Sequence, residues 1–208
     1  MKGKFVTLEG CEGVGKSKQL RMIEDYLKAH GIKYYLTREP GGTTVSEKIR
    51  SILLDKANAS MTDECEAMLY AAARIQLLRE EVQPRLENGE LVICDRYVDS
   101  SLAYQGYARG LGVDFIEKIN HVALTEFAPD CTLFLDLTPE QAFKRKGGVD
   151  KTDRLELSGL EFHNAVYNGY KALSQRYSER FSVIDASGEK EQTHEKIIQA
   201  LKKKGIIC

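Results

Sequence analysis

The 208-residue sequence contains no tryptophan and only four prolines, and it has no long apolar run. A bilayer span needs about 20 consecutive apolar residues, so no membrane segment is expected. The N-terminus reaches Glu9 after a short apolar stretch, so no signal peptide is expected either. An excess of one charge is also missing: 30 basic residues against 31 acidic ones leave a formal net charge of -1. No global field draws the chain to nucleic acid or to an anionic membrane, and any basic site must be local. The five cysteines, Cys11, Cys65, Cys94, Cys131 and Cys208, are odd in number, widely spaced and free of any C-x-x-C pair. That argues against a disulfide frame or a zinc site and fits reduced, mostly buried thiols in a cytoplasmic protein. The four histidines lack ligand spacing and read as ordinary surface or helix positions. With no repeat or low-complexity linker, the length suits one domain over 1-208.

What is present is alternation. Short β-branched or aromatic runs (KFVTLE, YYLTRE, LVICD, CTLFLDL and FSVIDA) are separated by helical patterns at about 16–29, 45–56, 62–87, 114–127, 139–146, 158–178 and 191–203. The runs are nearly continuously apolar, as strands are when helices cover both faces of a sheet. The expectation is an α/β fold with a doubly wound, parallel, five-stranded sheet. Within 62–87, Met68, Ala72 and Ile75 read as the core stripe, while Leu69, Ala73 and Leu77 make a second apolar face. A helix apolar on two sides must bury both, which predicts a homodimer through the second face.

The first strand runs directly into GCEGVGKS, Gly10 to Ser17, and a helical pattern carried by Leu20, Ile23 and Leu27 follows. G-x-x-x-x-G-K-[ST] in that setting is a phosphate-binding loop. The backbone N–H groups of Gly10, Cys11, Glu12, Gly13, Val14 and Gly15 and the helix N-terminus make a concave anion site. Lys16 adds a mobile cation for the outer phosphates, and the Ser17 hydroxyl can ligate Mg²⁺.

Ligands in such sheets bind beyond the carboxyl ends of the strands. There the second strand presents Arg38 and Glu39 in TREPGGT, and the third presents Asp95 and Arg96 in DRYVDSSLAYQG. Asp95 suits a Mg²⁺ carboxylate, and Arg38 and Arg96 suit a second phosphate. Tyr70 and Arg74, four apart, share one helix face. Arg145 to Arg154, RKGGVDKTDR, is a basic, glycine-bearing interruption between two helices and reads as a lid at about 145-156. Lys202 to Lys204 need no functional reading, since cations complement a helix C-terminus.

FVTLEGCEGVGKS, TREPGGT, EAMLYAAAR, CDRYVDSSLAYQG and DRLE, in this order, together resemble the thymidylate kinases, which phosphorylate dTMP to dTDP with ATP. The resemblance implies a P-loop nucleoside monophosphate kinase-like fold with a short lid, and a two-fold dimer. It implies that Lys16 and the loop amides hold the ATP phosphates, with Mg²⁺ on Ser17 near Asp95. Arg96 and Arg38 would clamp the dTMP phosphate, and Glu12 would contact the 3′-hydroxyl. Tyr70 would stack on thymine, Arg74 would reach its O4, Ser101 and Gln105 would meet the base edge, and Tyr104 would pack on the deoxyribose. In one branch of that family an arginine follows the loop carboxylate; here Gly13 stands in that place. The bacterial branch uses lid arginines instead, which implies that Arg145 and Arg154 close over the phosphates. Other readings are another nucleoside monophosphate kinase, a P-loop NTPase switch, or a nucleotide-sensing module.

Overall fold

Residues 5–9 are buried on both faces, and the computed structural model, which describes residues 2–146 and 159–208, places their strand at the centre of one sheet. The strands are β1 (Lys4–Glu9), β2 (Tyr34–Arg38), β3 (Leu91–Asp95), β4 (Cys131–Asp136) and β5 (Phe181–Asp185). Their order is β2-β3-β1-β4-β5, and every neighbouring pair is parallel. The register brings Leu8 beside Asp95 and Arg38 beside Asp95, so the carboxyl ends of the three strands that carry the rim residues share one edge. β1, β3 and β4 are buried almost end to end, whereas the edge strands β2 and β5 are partly exposed.

The helices are α1 (Lys16–Ala29), α2 (Thr44–Leu54), α3 (Asp63–Leu77), α4 (Gln83–Glu87), α5 (Val98–Ser101), α6 (Val113–Ile119), α7 (His121–Glu126), α8 (Pro139–Lys146), α9 (Gly159–Arg176) and α10 (Lys190–Lys203). Thr43 and Thr62 cap α2 and α3, accepting from the backbone N–H of Ser46 and Cys65. A π turn over Leu78–Val82 joins α3 to α4, so the expected 62–87 helix runs on through an altered turn.

Three expectations need correction. The 114–127 helix is broken at Asn120, whose side-chain amide donates to the Ile116 carbonyl and competes with the helical ladder. Val98–Ala108, not expected to be helical, forms α5 and a π-helical continuation over Leu102–Ala108. Its buried residues include Asp99, Ser101 and Gln105, so apolar spacing did not reveal it. Finally, α3 is rotated relative to the expected stripe. Met68 is 53% exposed and Ile75 36%, and Ala72 is exposed too, while Ala73 and Leu77 face the core. The cause is polar: Arg74 is drawn into the interior by an acceptor cluster and sets the rotation of the helix.

Candidate active site

The phosphate loop comes first. Gly15 caps α1 at φ 98° without a side-chain cap, which leaves the first N–H groups of the helix open toward the loop. Lys16 is buried and donates from Nζ to the carbonyls of Gly10 at 3.0 Å and Cys11 at 3.1 Å. Burial first, and the charge of Arg96 second, pull its ammonium below the usual lysine range. Gly13 has a reason of its own: it sits at φ +78°, and a Cβ there would come within 3.2 Å of the Ala142 carbonyl on α8. The loop and the helix leading toward the expected lid are therefore packed backbone to backbone.

The Mg²⁺ candidates leave oxygens open. Ser17 is exposed, and Asp95 Oδ1 is buried without a hydrogen-bond partner. A hydroxyl and an unsatisfied carboxylate oxygen fit a hard cation whose other ligands are phosphates and waters.

A cleft of about 290 Å³ opens beside the loop. Glu12, Tyr70, Arg74, Arg96, Ser101, Tyr104 and Gln105 all line it. Arg38 does not; it donates to the Pro40 carbonyl and pairs with Glu47 at 3.0 Å on a neighbouring surface shared with Asp95. Neither sequence-adjacent pair, Arg38 with Glu39 or Asp95 with Arg96, forms an ion pair. Each of Arg38, Glu39 and Arg96 finds its partner on another element.

Arg96 joins the loop to the cleft. Its backbone is left-handed, φ 67°, the sole non-glycine case among the described residues. Such a residue costs about 1–3 kcal/mol and persists only when its surroundings over-determine it. Here its N–H donates to Leu8, and the next N–H, of Tyr97, donates to Glu9 Oε1 at 2.7 Å. The guanidinium reaches Gly10 O at 3.2 Å, Ser100 Oγ at 3.3 Å and Glu12 Oε2 at 3.1 Å, with its carbon 5.2 Å from the Tyr104 ring. Burial works against its charge, but its neighbours, the Tyr104 and Tyr170 phenols ahead of the Glu12 and Asp95 carboxylates, outweigh burial and hold it well above the usual range.

Beneath Arg96, Glu9 is fully buried and accepts from Ser100 Oγ and Tyr170 OH at 2.7 Å as well as from Tyr97 N. Burial, then the charge of Asp99, pushes its carboxyl up to about 7. Arg74, 2% exposed, donates from Nε to Glu39 Oε2 at 2.7 Å, from Nη1 to Asn120 Oδ1 at 2.6 Å and from Nη2 to Ser101 Oγ at 3.0 Å. Burial pushes Glu39 up to about 7 even though Arg74 pulls the other way.

Several cleft residues went unmarked in the sequence. Arg50 on α2 lines it and donates to the Pro40 carbonyl at 2.9 Å. His163, expected at an ordinary surface or helix position, is 2% exposed at the cleft wall. Arg50 and His163 had no legible signal; Glu9, which is buried beneath Arg96 and does not line the cleft, had one, since it is an acid closing a largely apolar strand. Of the lid candidates, Arg145 on α8 donates to the carbonyls of Ala186, Ser187 and Gly188, in the loop after β5. Arg154 lies outside the described residues.

A phosphate loop whose arginine neighbour opens straight into a second, aromatic-walled cleft is the arrangement of a P-loop kinase acting on a small acceptor. Comparison with known proteins narrows the class. The family model described as thymidylate kinase matches residues 8–197. The chain is 46% identical over 203 residues to a thymidylate kinase of Bacillus velezensis, covering 97% of this chain and 96% of that protein. It is 45% identical over 203 residues to one of Thermoanaerobacter sp. (98% and 99% covered) and 49% identical over 188 residues to one of Oceanobacillus iheyensis (89% and 84% covered). The chain belongs to the thymidylate kinase family.

Proposed function

We propose that this protein transfers the γ-phosphoryl group of ATP to dTMP, giving dTDP and ADP, in the cytoplasm. The observation that carries the reading is Arg96, which touches the phosphate loop at Gly10 and Glu12 while lining the cleft that holds Tyr70, Arg74 and Gln105. ATP phosphates lie on Gly10 to Ser17, with Lys16 exchanging its carbonyl contacts for phosphate oxygens. Ser17, with Asp95, would hold Mg²⁺, which would supply charge neutralisation on the transferred group. Arg96 meets the dTMP phosphate, and Arg38 joins it on leaving Glu47. Glu12 takes the 3′-hydroxyl, Tyr104 the deoxyribose, Tyr70 the thymine face, and Arg74, Ser101 and Gln105 its edge. Two anionic substrates repel each other and a loose transition state spreads charge, so positioning and electrostatics supply the catalysis.

The chain acts as one domain whose lid segment brings Arg145 and Arg154 toward the phosphates. Two copies assemble through α3, where the row Met68, Ala72 and Ile75 leaves apolar surface in water. Among the described residues no helix is long and apolar enough to cross a membrane. The test is ADP release across a panel of monophosphates. We expect dTMP to lead and ribonucleotides to be poor. We expect dUMP to be weaker than dTMP by no more than the roughly 1–3 kcal/mol one methyl supplies. Faster turnover of AMP, CMP or GMP than of dTMP would overturn the assignment.

A further inference from the structure

Glu66 has no part in the reaction described above, yet it is fully buried on α3 beside the cleft. Gln105 Nε2 donates to its Oε1 at 2.7 Å, and Arg109 Nη2 approaches its Oε2 at 3.4 Å. Arg109 is itself held, by Asp63 at 3.3 Å and over the Phe162 ring at 4.9 Å. Gln105, 2% exposed, lines the cleft.

A carboxylate only accepts hydrogen bonds, so the amide end of Gln105 that faces Glu66 must be the NH₂. The carbonyl oxygen is then the end left to a ligand. An acceptor at that point suits a pyrimidine whose ring nitrogen carries a proton, as in thymine and uracil. It opposes cytosine, whose corresponding nitrogen is an acceptor, because two facing acceptors leave both unsatisfied.

We propose that Glu66 is a positioning residue for base specificity: it locks the Gln105 amide with its carbonyl toward the base, admitting imide pyrimidines and refusing cytosine. This rests on the reading of the cleft as the dTMP pocket.

The test is Glu66→Gln, with kcat/KM measured for dTMP, dUMP and dCMP on one preparation. Arg109 demands an acceptor, so the new amide turns its oxygen to Arg109 and its NH₂ to Gln105. Gln105 must answer with its carbonyl, which turns its own NH₂ to the base. The dTMP-to-dCMP ratio is expected to fall by at least about tenfold, the size of one mismatched buried hydrogen bond. The dTMP-to-dUMP ratio should stay within about twofold, because both bases carry the imide proton. Ratios from one preparation do not depend on the folded fraction, so a merely structural role for Glu66 leaves both unchanged. A fall of less than tenfold in the dTMP-to-dCMP ratio overturns the proposal. Should Glu66→Gln not fold, Glu66→Leu with Arg109→Leu removes the buried carboxylate together with its partly exposed partner cation and frees Gln105 to turn. The same tenfold fall is expected there, and its absence is equally decisive. A wild-type enzyme that uses dCMP as well as dTMP overturns the pocket reading itself.

Discussion

Arg74→Leu removes one half of a buried ion pair and leaves the other behind. Arg74 and Glu39 are 2% and 5% exposed and meet at 2.7 Å, and Asn120 and Ser101 lose a donor with them. Stranding one partner of such a pair costs about 3–5 kcal/mol. The pH dependence follows from Glu39, whose carboxyl burial holds at about 7 even beside Arg74, against 4.5 for an ordinary glutamate. Without Arg74 it goes higher still. From 4.5 to about 7 the folded state of both proteins binds the extra proton, so both lose stability alike as pH rises. Above 7 the wild-type carboxyl is ionised and its slope ends. The variant still holds its proton and goes on losing up to about 1.4 kcal/mol per pH unit. The stability gap should therefore be level below pH 7 and widen by roughly 1.4 kcal/mol between about pH 7 and pH 8. Urea denaturation at three pH values across this window reads it. A gap below about 1 kcal/mol at the alkaline end, or one that does not widen, would refute the claim that Arg74 balances a buried Glu39 charge.

Arg96→Ala is expected to lower kcat/KM for dTMP by about 100-fold or more, since it deletes the cation shared by loop and cleft. Steady-state kinetics with dTMP varied at saturating ATP would show this, and unchanged saturation and turnover would rule out the role. Met68→Glu with Ile75→Glu should turn a dimer into a monomer by placing charge on the exposed α3 row. Light scattering giving a single-chain mass for the unaltered protein at micromolar concentration would end the dimer proposal.

The strand pattern and the phosphate loop were legible because their signals are local. GCEGVGKS carries its glycines, lysine and serine within eight residues, and both faces of β1, β3 and β4 are apolar enough to read without knowing their neighbours. Most of the cleft was legible too, Arg96 from its place after β3 and Tyr70, Arg74, Ser101, Tyr104 and Gln105 mainly through resemblance, and all six converge on one cavity. Arg50 and His163 carry no such mark, because what makes them cleft residues is the packing of α2 and α9 against the site.

Chain chemistry alone was enough for the α/β alternation, the parallel sheet and the anion site at the start of α1. Tertiary structure decided the partners of the rim charges, the left-handed turn at Arg96, the break at Asn120 and the rotation of α3. All but the break at Asn120, which its own side chain makes on the Ile116 carbonyl, are set by contacts between separate segments of the chain. Arg74 turns inward because Glu39, Ser101 and Asn120, from three other segments, together satisfy a charge that the local pattern would leave in water. An apolar periodicity cannot register that, since it counts only the side chains water rejects and not the polar groups that other polar groups hold inside.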